Sequence, residues 1–321
     1  MTSVVDDSAG PDRGDAVSVT AQIPVIDDYA AGPQDPNPPD ETPPPEPDPE
    51  PEPAEPVRIN HLHEASVAAV VTIGLAVVSK LGVTPLLVGV AVVQGLLVLS
   101  WVFGTALPGR IGGLVTGALA AGGSDFVVSR WPHGQLGTLL AVLGLAIPVM
   151  FLHQLTRGVV RTRVVESLSD IALMVVAVVG CASLMQLRHE TLGALMTSGF
   201  VLAAGAALVT GHVVDLVLPK FLFDPDVPRG FLAVIAGAMG GAVACFLRLH
   251  NSFEFDHKRS LFVGGGLGAL ISLFAIGAAF VEHSLPAGRR PLAIARPVAS
   301  TLLPFGLLVP IGYLLCLSIR R

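Results

Sequence analysis

The sequence predicts an all-α fold: a polytopic bundle of about nine transmembrane helices behind a disordered, acidic, proline-rich tail. Three observations predict it. Apolar residues make up 52% of the chain and charged residues only 14%, against about 25% charged in soluble domains. Several uncharged runs are long enough to cross a bilayer. The composition also changes abruptly near residue 60. Residues 1–60 carry 14 acids and 2 bases, and the remainder carries 11 acids and 17 bases. The overall net charge of −6 therefore averages an acidic tail and a basic membrane body. A basic body suits anionic lipid headgroups.

The tail holds 14 of the 26 prolines, with acids between them from Pro43 to Pro53. Like charges repel, and few apolar groups are available to bury. The segment is expected to be extended and partly polyproline II. Its acidic start and lack of a short apolar core do not fit a signal peptide. The island Ile23-Pro24-Val25-Ile26 reads as a docking motif or as a chance patch. Thr42, after Asp40 and Glu41, is a candidate for an acid-directed kinase.

The expected spans follow in order: Ala65–Ser79; a second ending near Phe103; Ile111–Val128, rich in Gly and Ala; Leu136–Leu152, with Pro148 inside; Leu168–Leu187; Thr191–Val214; Gly230–Leu247; Ser260–Val281; and Ala299–Ser318. A count of eight or ten spans is the alternative. Thr191–Val214 has 24 residues without a charge, enough for a core about 30 Å thick. Small residues at four-residue spacing occur at Gly113/Gly117, Gly237/Gly241 and Gly264/Gly268. In lipid such pairs let helix backbones approach. Gly264-Gly265-Gly266 lacks the following Lys-Ser/Thr of a phosphate loop and reads as packing glycine.

With the tail in the cytoplasm and nine spans, ten bases near span ends lie inside and eight outside, a small positive-inside excess. The Arg157-Arg161-Arg163 cluster points the same way. The paired Arg320-Arg321 favours the alternative with both ends inside. Sixteen Arg to three Lys, with abundant Ala, Gly, Val and Pro, fits a high-GC bacterial genome. The expected location is thus a bacterial plasma membrane, with the tail cytoplasmic.

Ionisable groups at membrane depth are costly unless paired or wetted, so they are the first functional candidates. His212 and Asp215 share a helix face three residues apart. On the same side stand Glu166 and Asp170 at the head of the fifth span, with Lys220 and Arg229. The candidate polar pocket is Glu166, Asp170, His212, Asp215, Lys220 and Arg229. It would suit an anionic headgroup, a nucleotide, or a proton or cation path. The bland reading is helix-end residues: acids in a first turn favoured by the macrodipole, and side chains that snorkel. Asp125 reads as a wetted span end. Asp224–Gly230 reads as a rigid turn with Asp226 capping the seventh helix and Arg229 in its first turn; Asp224 and Asp226 are also a weak Mg²⁺ pair.

No metal site or cofactor is expected. Cys181, Cys245 and Cys316 sit singly in apolar runs, and His250 and His257 lack companions at metal spacing. The run Gly211-His212-Val213-Val214-Asp215, followed by a basic residue, resembles the Gly-Asp-Leu-x-Glu-Ser region of bacterial phosphatidate cytidylyltransferases. That resemblance would imply a polytopic lipid-phosphate enzyme, but the Lys-Asp, His-Gly-Gly and Asp-Arg parts of the family's signature are missing here. HExxH and GxSxG motifs are also missing, so an enzyme is not favoured. The leading expectation is a non-catalytic membrane protein whose tail recruits a cytoplasmic protein. A small transporter or lipid-handling permease and a cytidylyltransferase-like enzyme are the alternatives. Membrane lipids are expected partners, and nothing calls for nucleic acid.

Overall fold

The computed structural model describes residues 61–133, 136–156, 163–218, 222–224, 227–250, 256–283 and 292–319. The tail, with the Ile23–Ile26 island and Thr42, lies outside the described residues, as do Lys220, Asp226 and Arg157–Arg161. Among the described residues there are nine helices long and apolar enough to cross a membrane. They are α1 (His61–Leu81), α2 (Val83–Gly104), α3 (Arg110–Arg130), α4 (Leu136–Thr156), α5 (Val164–His189), α6 (Gly193–Val217), α7 (Phe231–Leu249), α8 (His257–His283) and α9 (Arg296–Ile319). A short antiparallel hairpin precedes α7, β1 (Leu222–Asp224) with β2 (Val227–Gly230). The turn expected there is therefore a small two-stranded ribbon, and Arg229 sits in β2 instead of the first turn of α7.

The helices wear their apolar side chains outward. All nine expose large hydrophobic residues, among them Ile111 (80%) and Phe262 (83%). In water such a surface would drive association; in lipid it is the solvent-facing side. The α7 helix shows the division plainly. Phe231, Ile235, Met239, Val243 and Leu247 are exposed at four-residue spacing, while Ala233, Gly237, Gly241, Cys245 and Leu249 are buried on the opposite face. Except for Leu249 at the end, the large residues face outward and the small ones inward, as expected where close backbone approach drives association.

That approach is direct between α7 and α8. A Cβ placed on Gly241 would collide with the carbonyl of Gly264, and one on Gly268 with the carbonyl of Gly237. The two small-residue pairs seen in the sequence thus face each other. A third such contact joins α5 to α9: Gly180 lies against the carbonyl of Gly306, and Gly306 against that of Ala177. Gly113 and Gly117 receive Leu107, Val102, Val98 and Met174 side chains, which seats α3 on α2 and α5.

The α5 helix is the most enclosed; every residue from Ala177 to Leu187 is buried. It packs on α2, α3, α4 and α9, while α1, α6, α7 and α8 form the other side of the bundle. The α9 helix touches α1, α2, α5, α6 and α8 and so joins both sides. Polar side chains inside make the interhelical hydrogen bonds that lipid cannot supply. Gln94 Nε2 on α2 donates to Ser124 Oγ on α3 at 3.2 Å and to the carbonyl of Val178 on α5 at 3.0 Å.

Helices that cross in alternation place the starts of α1, α5, α7 and α9 and the ends of α2 and α6 at one face. Observed bonds agree. Leu292 N, just before α9, donates to the carbonyl of Phe103 near the end of α2 at 2.9 Å. The site lies at this face.

Candidate functional site

The site begins with a helix that starts earlier than the hydropathy suggests. The first apolar run opens at Ala65, but α1 extends back to His61. Its first turn therefore carries His61 and Glu64, three residues apart and on one face. The helix macrodipole favours an acid there. This turn is packed between α6 and α9, so Glu64 is buried instead of wetted.

Three elements converge on the Glu64 carboxylate. From α6, His212 Nδ1 lies 3.0 Å from Oε2. From α1, His61 Nδ1 lies 3.6 Å from the same oxygen. From α9, Ser300 Oγ donates to Oε1 at 2.8 Å. The next residue, Thr301, donates through Oγ1 to the backbone carbonyl of Glu64 at 3.4 Å. The two imidazole rings are 6.0 Å apart between centroids, tilted by 39°. His212 is 0% exposed and Glu64 5%.

His61 Nδ1 and both ring nitrogens of His212 are buried, and the two Nδ1 atoms crowd one carboxylate oxygen at 3.6 and 3.0 Å. Two imidazoles gathered on one buried carboxylate oxygen form a polar cluster inside the bundle.

One turn further along α6 stands Asp215. Its Oδ2 is 3.1 Å from Arg229 Nε, and its Oδ1 accepts from the backbone N–H of Gly230 at 3.1 Å. Arg229 is 2% exposed. This clasp holds β2 and the start of α7 against the end of α6. Gly211 faces this clasp: a Cβ there would stand in ordinary contact, 3.4 Å from the Arg229 guanidinium and 3.5 Å from the carbonyl of Ala233. The guanidinium is near enough to act electrostatically on both Glu64 and His212.

Of the residues singled out in the sequence, the structure brings together His212, Asp215 and Arg229. Glu166 lies 3.9 Å from Arg163 at the head of α5. Asp170 is tied to α2, where Trp101 Nε1 donates to its backbone carbonyl at 3.0 Å. Lys220 is outside the described residues. The sequence reading missed Glu64, His61 and Ser300. A signal existed in His61-x-x-Glu64, an i,i+3 pair beside the first span.

Counted formally, Glu64, Asp215 and Arg229 sum to one negative charge, with two imidazoles beside them. His61, Glu64 and His212 each present a donor atom, all within 4.8 Å of one another, and among the described residues these three form a group able to share a metal ion. Comparison of the chain with protein-family models, with curated proteins and with solved structures finds no match.

Proposed function

We propose that this chain is a multi-pass bacterial plasma-membrane permease for a small cation, with its binding site between the heads of α1 and α9 and the end of α6. One observation carries the reading. The buried Glu64 carboxylate faces His61 and His212 inside a lipid-soluble bundle, in a cluster with one more acid than base. Buried charge at such a place is expensive, and a bound cation offsets it. The Asp215–Arg229 clasp supplies a fixed positive charge nearby, which helps keep the site from holding a cation too tightly to release. In this reading the tail is cytoplasmic, and its acid- and proline-rich composition serves as a docking segment for a soluble protein, apart from the translocation site.

The test is flux. Full-length protein in liposomes is given inward gradients of H⁺, Na⁺, K⁺, Mn²⁺, Co²⁺ and Zn²⁺ in turn, with an indicator for each trapped inside. At least one cation should enter faster than in empty liposomes, and Glu64→Gln should abolish the excess while inserting normally. Entry no faster than in empty liposomes for the whole panel overturns the proposal. So does a Glu64→Gln protein that matches the wild type.

A further inference from the structure

We infer that His61, Glu64 and His212 bind a transition-metal ion of the zinc class, with a coordination position left for an exogenous ligand. The inference deepens the permease reading by naming the cation class, and it rests on that reading only for its physiological role.

The distances suit such an ion. Metal–ligand bonds of about 2.0–2.1 Å in a tetrahedral array separate neighbouring donor atoms by about 3.3 Å. The observed separations from Glu64 Oε2 are 3.0 Å to His212 Nδ1 and 3.6 Å to His61 Nδ1. They bracket that value. The three donor atoms come from His61, Glu64 and His212 and lie within 4.8 Å of one another.

Ligand chemistry narrows the ion. Two imidazoles and one carboxylate suit zinc and neighbouring first-row metals. Calcium takes six to eight oxygens, and magnesium keeps an octahedral shell of oxygens and water; this donor set matches neither. Three protein ligands are the number found where zinc keeps an open position. Metal sites in helical bundles are built from side chains on facing helices, and here His61 and Glu64 come from α1 and His212 from α6.

The surroundings support the ligands. Ser300 Oγ holds Oε1 of Glu64, which orients Oε2 toward the two rings. Partners of this kind commonly alter metal affinity by about 10–100-fold. Arg229 is held by Asp215 and does not sit on the Glu64 carboxylate.

The experiment measures binding in detergent, so it is independent of any flux. Full-length protein with a histidine-free affinity tag is stripped with chelator, and Zn²⁺ is titrated in competition with a chromophoric chelator. Co²⁺ is titrated in parallel by visible absorption. The expected result is one Zn²⁺ per chain and a Co²⁺ d–d band of tetrahedral or five-coordinate intensity. Glu64→Gln and His212→Ala should each weaken Zn²⁺ binding by at least 100-fold, and Ser300→Ala by about 10–100-fold. If the buried variants fail to yield monodisperse protein, His61→Asn, at the less buried helix head, carries the same expectation. Fewer than one Zn²⁺ in ten chains for the wild type overturns the inference, as does unchanged affinity in His61→Asn. Binding without flux would leave the metal site standing and remove the permease reading. Proton or Na⁺ flux without Zn²⁺ binding would do the reverse.

Discussion

Glu64, on the first turn of the first helix, and Ser300, on the first turn of the last, share a hydrogen bond of 2.8 Å across 236 residues of sequence. The bond places both helix heads at one membrane face. An even number of crossings must therefore separate them, which agrees with eight spans before α9. It also puts the end of α9 at the face opposite the start of α1.

This geometry sets the start of α1 and the end of α9 at opposite faces. With the start of α1 at the cytoplasmic face, the end of α9 is expected outside. A fluorescent protein fused to the tail should fluoresce in intact cells, and alkaline phosphatase fused after Arg321 should be active. Both ends reporting the same compartment would contradict the crossing count.

Ser300→Ala should destabilise the protein. It removes a buried hydrogen bond to a charged group, a class that contributes about 1.5–3 kcal/mol. The measurement is reversible unfolding in mixed detergent micelles.

The Asp215–Arg229 pair should couple strongly. Removing one partner strands a buried charge, at about 3–5 kcal/mol. Arg229→Met and Asp215→Leu should each be costly, and the double variant much less so than their sum. A double-mutant cycle in the same unfolding assay gives the coupling directly. Additive losses would mean that the residues merely end their helices at the interface.

Glycines on α8 should differ sharply in tolerance. Gly268→Ala puts a methyl group into the carbonyl of Gly237, whereas nothing lies within 4 Å of a Cβ on Gly266. Overpacking of this kind costs about 1–3 kcal/mol. Gly268→Ala should lower the melting temperature, and Gly266→Ala should leave it unchanged or raise it.

Deleting residues 1–57 should leave ion flux and Zn²⁺ binding intact while removing capture of a soluble partner. Loss of flux in a monodisperse deletion protein would tie the tail to the translocation site.

Much of this architecture was legible beforehand because lipid imposes a simple rule: a segment must be long, apolar and helical. Thr191–Val214 announced α6 by its lack of charge, and the facing glycines of α7 and α8 announced a close contact. Helix starts were harder. At α1, α5, α8 and α9 the helix begins three or four residues before the apolar run, because its polar first turn is helical too. Hydropathy discards those residues, and with them went His61 and Glu64. The His212–Asp215 pair was visible as a unit, but its two members serve different partners, Glu64 and Arg229. Those partners come from distant elements, and local spacing carries no record of them. Gly180 and Gly306 were missed for the same reason, since each is a lone glycine whose counterpart lies on another helix.

The backbone-to-backbone seam between α7 and α8 has a mechanical consequence. With only backbone and the short side chains of Ser272, Cys245 and Ala242 between them, neither helix has a deep deformable layer on which to slide, so the pair shifts as one lever. Arg229 rides at the head of that lever. Any tilt of the pair away from α6 would draw the guanidinium off Asp215 and weaken its pull on Glu64, leaving the carboxylate freer to grip a positive ion. Leverage on one cationic side chain would thus tune the grip of a carboxylate on a different helix.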